Sequence, residues 1–268
     1  ENTIVTGGIR GGINLAQRIS VCIFRVRGSF AHWRKWFTTV SSLTYSFPPR
    51  TAVVGMVGAI LGIQREKVAE IFKVSDTRIA VRPLSPIQKD SLPQSWRQTP
   101  SYIRNGKFDL AKMHESFQAN LEVVRRPYYC IVFWHRNAQL MQELTERLKN
   151  KRWFYPPCLG VIGFLADVEW ESEDVAEEYE TDQEIIHSVL PLTETMAQRI
   201  DLSGSDAYIR EERIPYEVFP DRRFRHLDYA YVSRNANPLL VRAREGKFPL
   251  FALQHGQWKG VFFEQCMI

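Results

Sequence analysis

Apolar and polar positions alternate from Ile19 to Val26, which predicts a β-strand. Its period of two puts Val21, Ile23, Arg25 and Arg27 on one face and Cys22, Phe24 and Val26 on the other. The period changes after Pro48-Pro49, where Val53, Val57, Ile60 and Leu61 follow helical spacing. Proline is tolerated in a first helical turn and glycine favours the residue just past the end, so the helix is expected from near Pro49 or Arg50 to Gly62. Gly55, Gly58, Ala59 and Gly62 form a second, nearly side-chain-free stripe. Glycines cost about 1 kcal/mol each in a helix interior, so the stripe predicts close backbone approach. The free N–H groups at the start of the helix, beside Tyr45 and Arg50, offer a place for an anion.

Further along, Arg65 to Phe72 reads as a short helix, and Thr77 to Ile87 as a strand whose Pro83 and Pro86 argue for a sheet edge. Lys89 to Met113 is polar, broken by Pro93, Pro100 and Gly106, and long enough to predict a projecting arm. Strands follow at 117–125 and 128–134, then an amphipathic helix from Ala138 to Lys149 with Leu140, Met141, Leu144 and Leu148 inward. Pro156 to Gly160 reads as a turn into a strand from Ile162 to Trp170. The order strand, helix, strand, arm, strand, helix, strand is the split βαβ pattern of a ferredoxin-like (RRM-like) α+β fold, with both helices on one sheet face and the other face open to RNA. From Ile185 onward only short β runs are expected and no helix. The predicted division is therefore an N-terminal palm over 18–172, carrying the arm at 89–113, and a smaller β-rich part over 173–268.

Net charge is only +5, but its distribution is uneven. Residues 167–184 hold ten acids and no Lys or Arg, while residues 18–152 hold 23 bases against nine acids. The chain thus reads as a basic body with an acidic flap. Such a body favours a polyanion, and the Trp, Tyr and Phe residues interleaved with its cations favour nucleic acid. Cysteines 22, 130, 158 and 266 lack metal or disulfide spacing and read as free thiols of a reducing, cytoplasmic protein. No apolar run approaches the roughly 20 residues of a membrane helix. No metal, nucleotide-loop or hydrolase motif is present, so no cofactor is expected.

Binding chemistry remains. Arg25, Arg27, Arg34, Lys35, Arg50, Arg125 and Arg126 are candidates for phosphate contacts, joined on the arm by Arg104 and Lys107. Trp33, Trp36, Tyr45 and Trp96 are candidates for base stacking, with Thr44 beside Tyr45. Trp33 and Trp36 flank two cations and are the most favoured of these.

The stretch FRVRGSFAHWRKWFTTVSSLTYSFPPRTAVVGMVGAILG, residues 24–62, resembles the N-terminal signature of the fifth CRISPR-associated (Cas) protein family, the RAMP-type subunit at the foot of type I Cascade complexes. Tyr155-Pro-Pro-Cys-Leu-Gly160 is a looser echo of it. The resemblance implies a ferredoxin-like palm, a thumb corresponding to the arm, and capture of the upstream, repeat-derived handle of the guide crRNA in antiviral defence. It also implies contacts to the Cascade backbone subunit and large subunit, and to target DNA through the complex. One branch of the family, type I-C, cuts precursor RNA with a Tyr and a Lys-His pair. Tyr45 stands where that tyrosine would be, but the nearest Lys-His pattern is Lys112-Met113-His114, one residue out. On a strand that spacer sends the second side chain to the other face. The sequence is therefore more similar to the type I-B branch, which implies a non-catalytic subunit; Tyr45, Lys112 and His114 would carry the alternative, a metal-independent endoribonuclease.

Overall fold

The computed structural model describes residues 17–39, 42–97, 103–104, 107–108, 116–256 and 258–267. In chain order the elements are β1 (Arg18–Arg27), β2 (Phe30–Ala31), α1 (Arg50–Leu61), α2 (Arg65–Ile71), β3 (Thr77–Pro83), β4 (Gln88–Arg97), β5 (Ile103–Arg104), β6 (Lys107–Phe108), β7 (Ser116–Arg125), β8 (Tyr128–His135) and α3 (Ala138–Lys149). There follow β9 (Asp167–Thr181), β10 (Gln183–Ile186), β11 (Leu190–Leu192), α4 (Glu194–Arg199), β12 (Ile200–Asp201), β13 (Tyr208–Val218), β14 (Phe224–Ser233), β15 (Leu239–Ala243), β16 (Phe248–Leu253), β17 (Lys259–Gly260) and a closing 3-10 turn, Phe263–Met267.

The central sheet has the order β17-β16-β9-β1-β8-β3, and every pairing within it is antiparallel. Its β9-β1-β8-β3 portion is the ferredoxin-like order. The proline-bearing β3 lies at the edge, where a missing N–H leaves no ladder bond unmade. Cys22, Phe24 and Val26 of β1 face α1 and α3, and Val53, Val57, Ile60, Leu144 and Leu148 complete the main core. Helix α1 has the expected bounds because Pro49 sits at its N-cap and Gly62 adopts φ +77° just past its last turn. A Cβ at Gly62 would also stand 2.5 Å from the Phe154 ring. The glycine stripe is only partly a packing device. Gly58 meets Val68, whereas a Cβ on Gly55 would have no neighbour within 4 Å.

Four expectations need correction. The strand expected at Ile162 begins at Asp167, because the Gly160–Leu165 segment folds back on itself, with Leu159 N–H donating to Phe164 O and Gly160 held at φ +91°. Ile162 consequently points outward at 88% exposure. The acidic stretch is no flap: most of it is β9, lying directly beside β1, where opposite charges face each other across the ladder. Third, the sheet face expected to be open is largely covered. Ile19, Val21 and Ile23 pack there with Phe251, Trp258 and Phe262 from the C-terminal segment. Fourth, the C-terminal half does contain a short helix, α4, capped by the Thr193 hydroxyl accepting from Met196 N–H.

The rest of the chain forms the sheets β10-β15-β12, β11-β14-β13 and β2-β7-β4, and the β5–β6 hairpin. Strands β4 and β7 pair over the whole length of both and make the base of the arm. Ile214, Tyr216, Leu227 and Val232 of β13 and β14 join the main core, so the C-terminal part is built onto α1. A buried ion pair reinforces this junction. Arg50, 1% exposed, donates from Nε to Glu264 Oε1 at 2.5 Å and from its other nitrogens to Tyr216 O and Phe72 O. Glu264 Oε2 accepts from Ile79 N–H.

Removing one partner of a buried pair strands the other charge, at about 3–5 kcal/mol. Glu264→Ala is therefore expected to lower unfolding free energy by about that amount, read from urea denaturation at unchanged slope. Glu264→Gln, which keeps an acceptor for Ile79 N–H, is expected to lose less.

Candidate nucleic-acid interface

The basic aromatic loop is shaped by its own backbone and by one remote carboxylate. His32 N–H donates to Leu159 O, Lys35 N–H to Leu43 O, and Tyr45 N–H to Trp33 O, so residues 32–37 and 42–45 fold against each other. Gly160 permits this approach; a Cβ there would fall 1.9 Å from His32 O. The His32 ring, held below its ordinary pKa by burial, donates from Nδ1 to Glu122 O. Glu211 on β13, 2% exposed, then ties the loop down. Its Oε1 accepts from Ser46 N–H and hydroxyl, and its Oε2 lies 2.6 Å from Lys35 Nζ. Lys89 Nζ at the root of the arm reaches Glu211 at 3.3 Å and donates to Thr44 O.

Between this loop, the first turn of α1, the arm and the β13–β14 pair lies a cleft of about 960 Å³. Its lining is mostly apolar and aromatic, with Arg34, Trp36 and His226 among its walls and Gln94 and Asn120 from the arm. Trp36 is 51% exposed and Phe224 52%. The Arg213 guanidinium stands 5.5 Å from the Trp36 ring centre, and His226 lies 5.5 Å away on another side. An apolar cleft with a few polar groups and half-exposed aromatic rings suits a planar ligand.

Residues 21–226 match the sequence model of the family described as CRISPR-associated protein (Cas_Cas5), in its Cas5d form. The chain belongs to this CRISPR-associated Cas5 family. No curated protein matches it significantly in sequence. Among solved structures it resembles a CRISPR protein from Archaeoglobus fulgidus, at 12% identity and TM-score 0.50, over 91% of this chain and 98% of that one. It also resembles a chain of a CRISPR RNA-guided surveillance complex, at 11% identity and TM-score 0.44, covering 87% and 91% of the two chains. The first likeness supports the fold, a RAMP-type α+β architecture with a curled antiparallel sheet.

In this Cas5 chain the expected site residues fall into three groups. Arg34 and Trp36 line the cleft, with Arg34 donating to Thr38 O and Thr39 O. Arg125 and Arg126 are exposed and form no ion pair among the described residues, Arg126 at φ +47°. A second group is occupied internally. Arg25 makes two 2.7 Å bonds to Glu171, and Arg27 pairs with Asp167 and Glu169, all on β9. Lys35 is committed to Glu211, and Arg50 to Glu264. Trp33 is 3% exposed and packs edge-on against Tyr129, while Thr44 is buried with its hydroxyl accepting from Trp33 N–H. A third group is placed only by its backbone: Trp96 in β4, and Arg104 and Lys107 facing each other across the β5–β6 hairpin. Lys112 and His114 lie outside the described residues.

Tyr45, fully buried, donates its hydroxyl to Arg213 O at 2.6 Å. Burial, and then Glu211, push its pKa well above the ordinary tyrosine value. A phenol so held is a poor base, and its proton already has an acceptor. The tyrosine therefore serves as a strut between the loop and β13, a correction to its candidacy for stacking or catalysis. Among the described residues no cluster of three or more His, Cys, Asp or Glu could hold a metal. No described helix is long and apolar enough to cross a membrane. Sequence reading missed Phe224, His226, Arg213, Gln94 and Asn120. The run Arg222-Arg-Phe-Arg-His226, cations around an aromatic residue, was the available signal for two of them.

Burial pushes the Glu211 carboxyl up, but Lys89, Lys35 and Ser46 together hold it below the ordinary glutamate value. A depressed carboxylate stabilises the fold above its unfolded pKa of about 4.3, and that stabilisation is lost as pH falls through the folded value. The wild type should therefore lose stability as pH drops below about 4.3. Glu211→Gln should start less stable at pH 7 and show a shallower acid limb, measured by thermal melts across pH. Parallel acid limbs would contradict the role given to Glu211.

Proposed function

We propose that this Cas5 chain is a non-catalytic subunit of a type I CRISPR surveillance complex, and that its cleft holds the repeat-derived upstream handle of the guide crRNA. The reading rests above all on one observation: the half-exposed Trp36 opens on a largely apolar cleft with Arg34 and Arg213 at its edge. Family membership supports the coarser statement, a subunit of a CRISPR effector assembly whose partners are crRNA and other Cas proteins. In the proposed assembly the chain also docks the Cascade backbone and large subunits in the cytoplasm, and meets target DNA only through the complex. The type I-B assignment belongs to the same proposal and rests on the missing Lys-His pair and on the internal role of Tyr45.

Physically, single-stranded RNA is held by stacking on rings and by cations that replace counterions along its backbone. The cleft offers both. The acids of β9 withdraw Arg25 and Arg27 from that role, so the electrostatic contribution comes from Arg34, Arg213 and the exposed Arg125 and Arg126.

In chelator, the purified protein is expected to shift the mobility of a repeat-containing RNA while leaving it intact. Affinity should fall with salt at a log-log slope of about −0.7 per phosphate neutralised. Arg34→Gln/Arg213→Gln should flatten that slope by about 1.4, whereas Arg25→Gln/Arg27→Gln should leave it nearly unchanged. A salt-independent shift would remove the electrostatic argument, and a single metal-independent cut would overturn the non-catalytic reading.

A further inference from the structure

The cleft has chemically distinct walls, and the difference between them says more than its mere suitability for RNA. On one side three rings stand in sequence. Trp36 lies 5.5 Å from His226 at a 47° tilt, and His226 lies 6.4 Å from Phe224 at 40°. None of these rings is buried, although two of them come from the end of β14 and one from a loop far away in sequence. Phe37, perpendicular to Trp36 at 5.8 Å, and the Arg213 guanidinium keep the indole in place. The arm side contributes the carboxamides of Gln94 and Asn120, which make no hydrogen bond among the described residues. Their strands are fixed by the β4–β7 ladder, where Gln94 pairs with Ala119 and Asn120 with Pro93.

Exposed rings that pack on one another without closing off are open stacking surfaces, and every nucleobase has a π-face to offer them. Carboxamides carry both donors and acceptors, the complement of a base edge. Phosphate needs neither feature. Resting on the RNA-binding reading above, we propose that the cleft is a slot for one unstacked nucleobase, which lies on the Trp36–His226–Phe224 wall with its edge toward Gln94 and Asn120. The base is turned out of the strand, and its ribose and phosphates remain toward Arg34. The slot thus fixes the register of the bound RNA as well as its affinity. Burial, and then Arg213, hold the His226 imidazole below its ordinary pKa, so the ring is neutral at pH 7 and adds no charge of its own to the wall.

The test scans 2-aminopurine, one position at a time, through a single-stranded RNA of about ten nucleotides, with binding read separately by mobility shift. One position, or two adjacent ones, should be quenched several-fold more than the rest. His226→Ala and Phe224→Ala should abolish that positional contrast and weaken binding by about 5- to 100-fold, while His226→Phe should restore it. Asn120→Asp should reduce the contrast and leave the salt slope unchanged. Uniform quenching along a bound RNA, or contrast that survives both ring deletions, would overturn the slot and leave the RNA-binding reading standing. Failure of the wild type to shift any RNA would overturn both. Trp36 and Phe224 are half exposed, so Trp36→Ala provides a further variant that does not depend on core packing.

Discussion

One buried carboxylate holds the candidate site together. Glu211 stands on β13, 165 residues from Ser46, yet it accepts from the Ser46 backbone and hydroxyl and lies beside Lys35 and Lys89. Three separate segments, the aromatic loop, the root of the arm and the C-terminal sheet, converge on it. A carboxylate taken out of water is tolerated only when its lone pairs are filled, and here two ammonium groups, a hydroxyl and an amide fill them. The Tyr45 hydroxyl, donating to Arg213 O, and the Arg50–Glu264 pair repeat the device on either side. The cleft exists because these bonds bring β13 and β14 up to the loop.

The same arrangement decides which cations are available. Judged by sequence, residues 18–152 are strongly basic, and every Arg and Lys in that span is an equal candidate for phosphate. Folding separates them. β9 brings its acids alongside β1 and neutralises Arg25 and Arg27, while Glu211 and Glu264 draw Lys35 and Arg50 inward. The surface pairs contribute little to stability, at most about 1 kcal/mol each. Their larger consequence is electrostatic, since they leave one side of the molecule nearly neutral and the cleft side cationic.

Where local stereochemistry decides an element, the sequence was enough. Pro49 and Gly62 bound α1, Asn137 and the leucine spacing bound α3, and the prolines of β3 mark an edge. The ferredoxin-like order followed from those elements. The strand expected at Ile162 was wrong because Val161 to Leu165 is apolar but forms a tight turn, a case in which hydrophobicity reports exposure at a surface and not burial. The acidic strand was hidden because its alternation of Glu with Val, Trp and Ser reads as solvated when the facing arginines of β1 are left out. Arg34 and Trp36 were legible as candidates from composition. Phe224 and His226 were not, because their nearness to Trp36 is created by the Glu211 tether and not by sequence separation.

The account places RNA in the cleft and not on the sheet face that carries Arg25 and Arg27. Zero-length ultraviolet cross-linking of bound RNA, followed by mass spectrometry of the attached peptides, tests that placement directly. Two peptides distant in sequence should carry nucleotide adducts together, one containing Trp36 and one containing Phe224 and His226. Adducts confined to β1 and β9, with both cleft peptides unmodified, would contradict it.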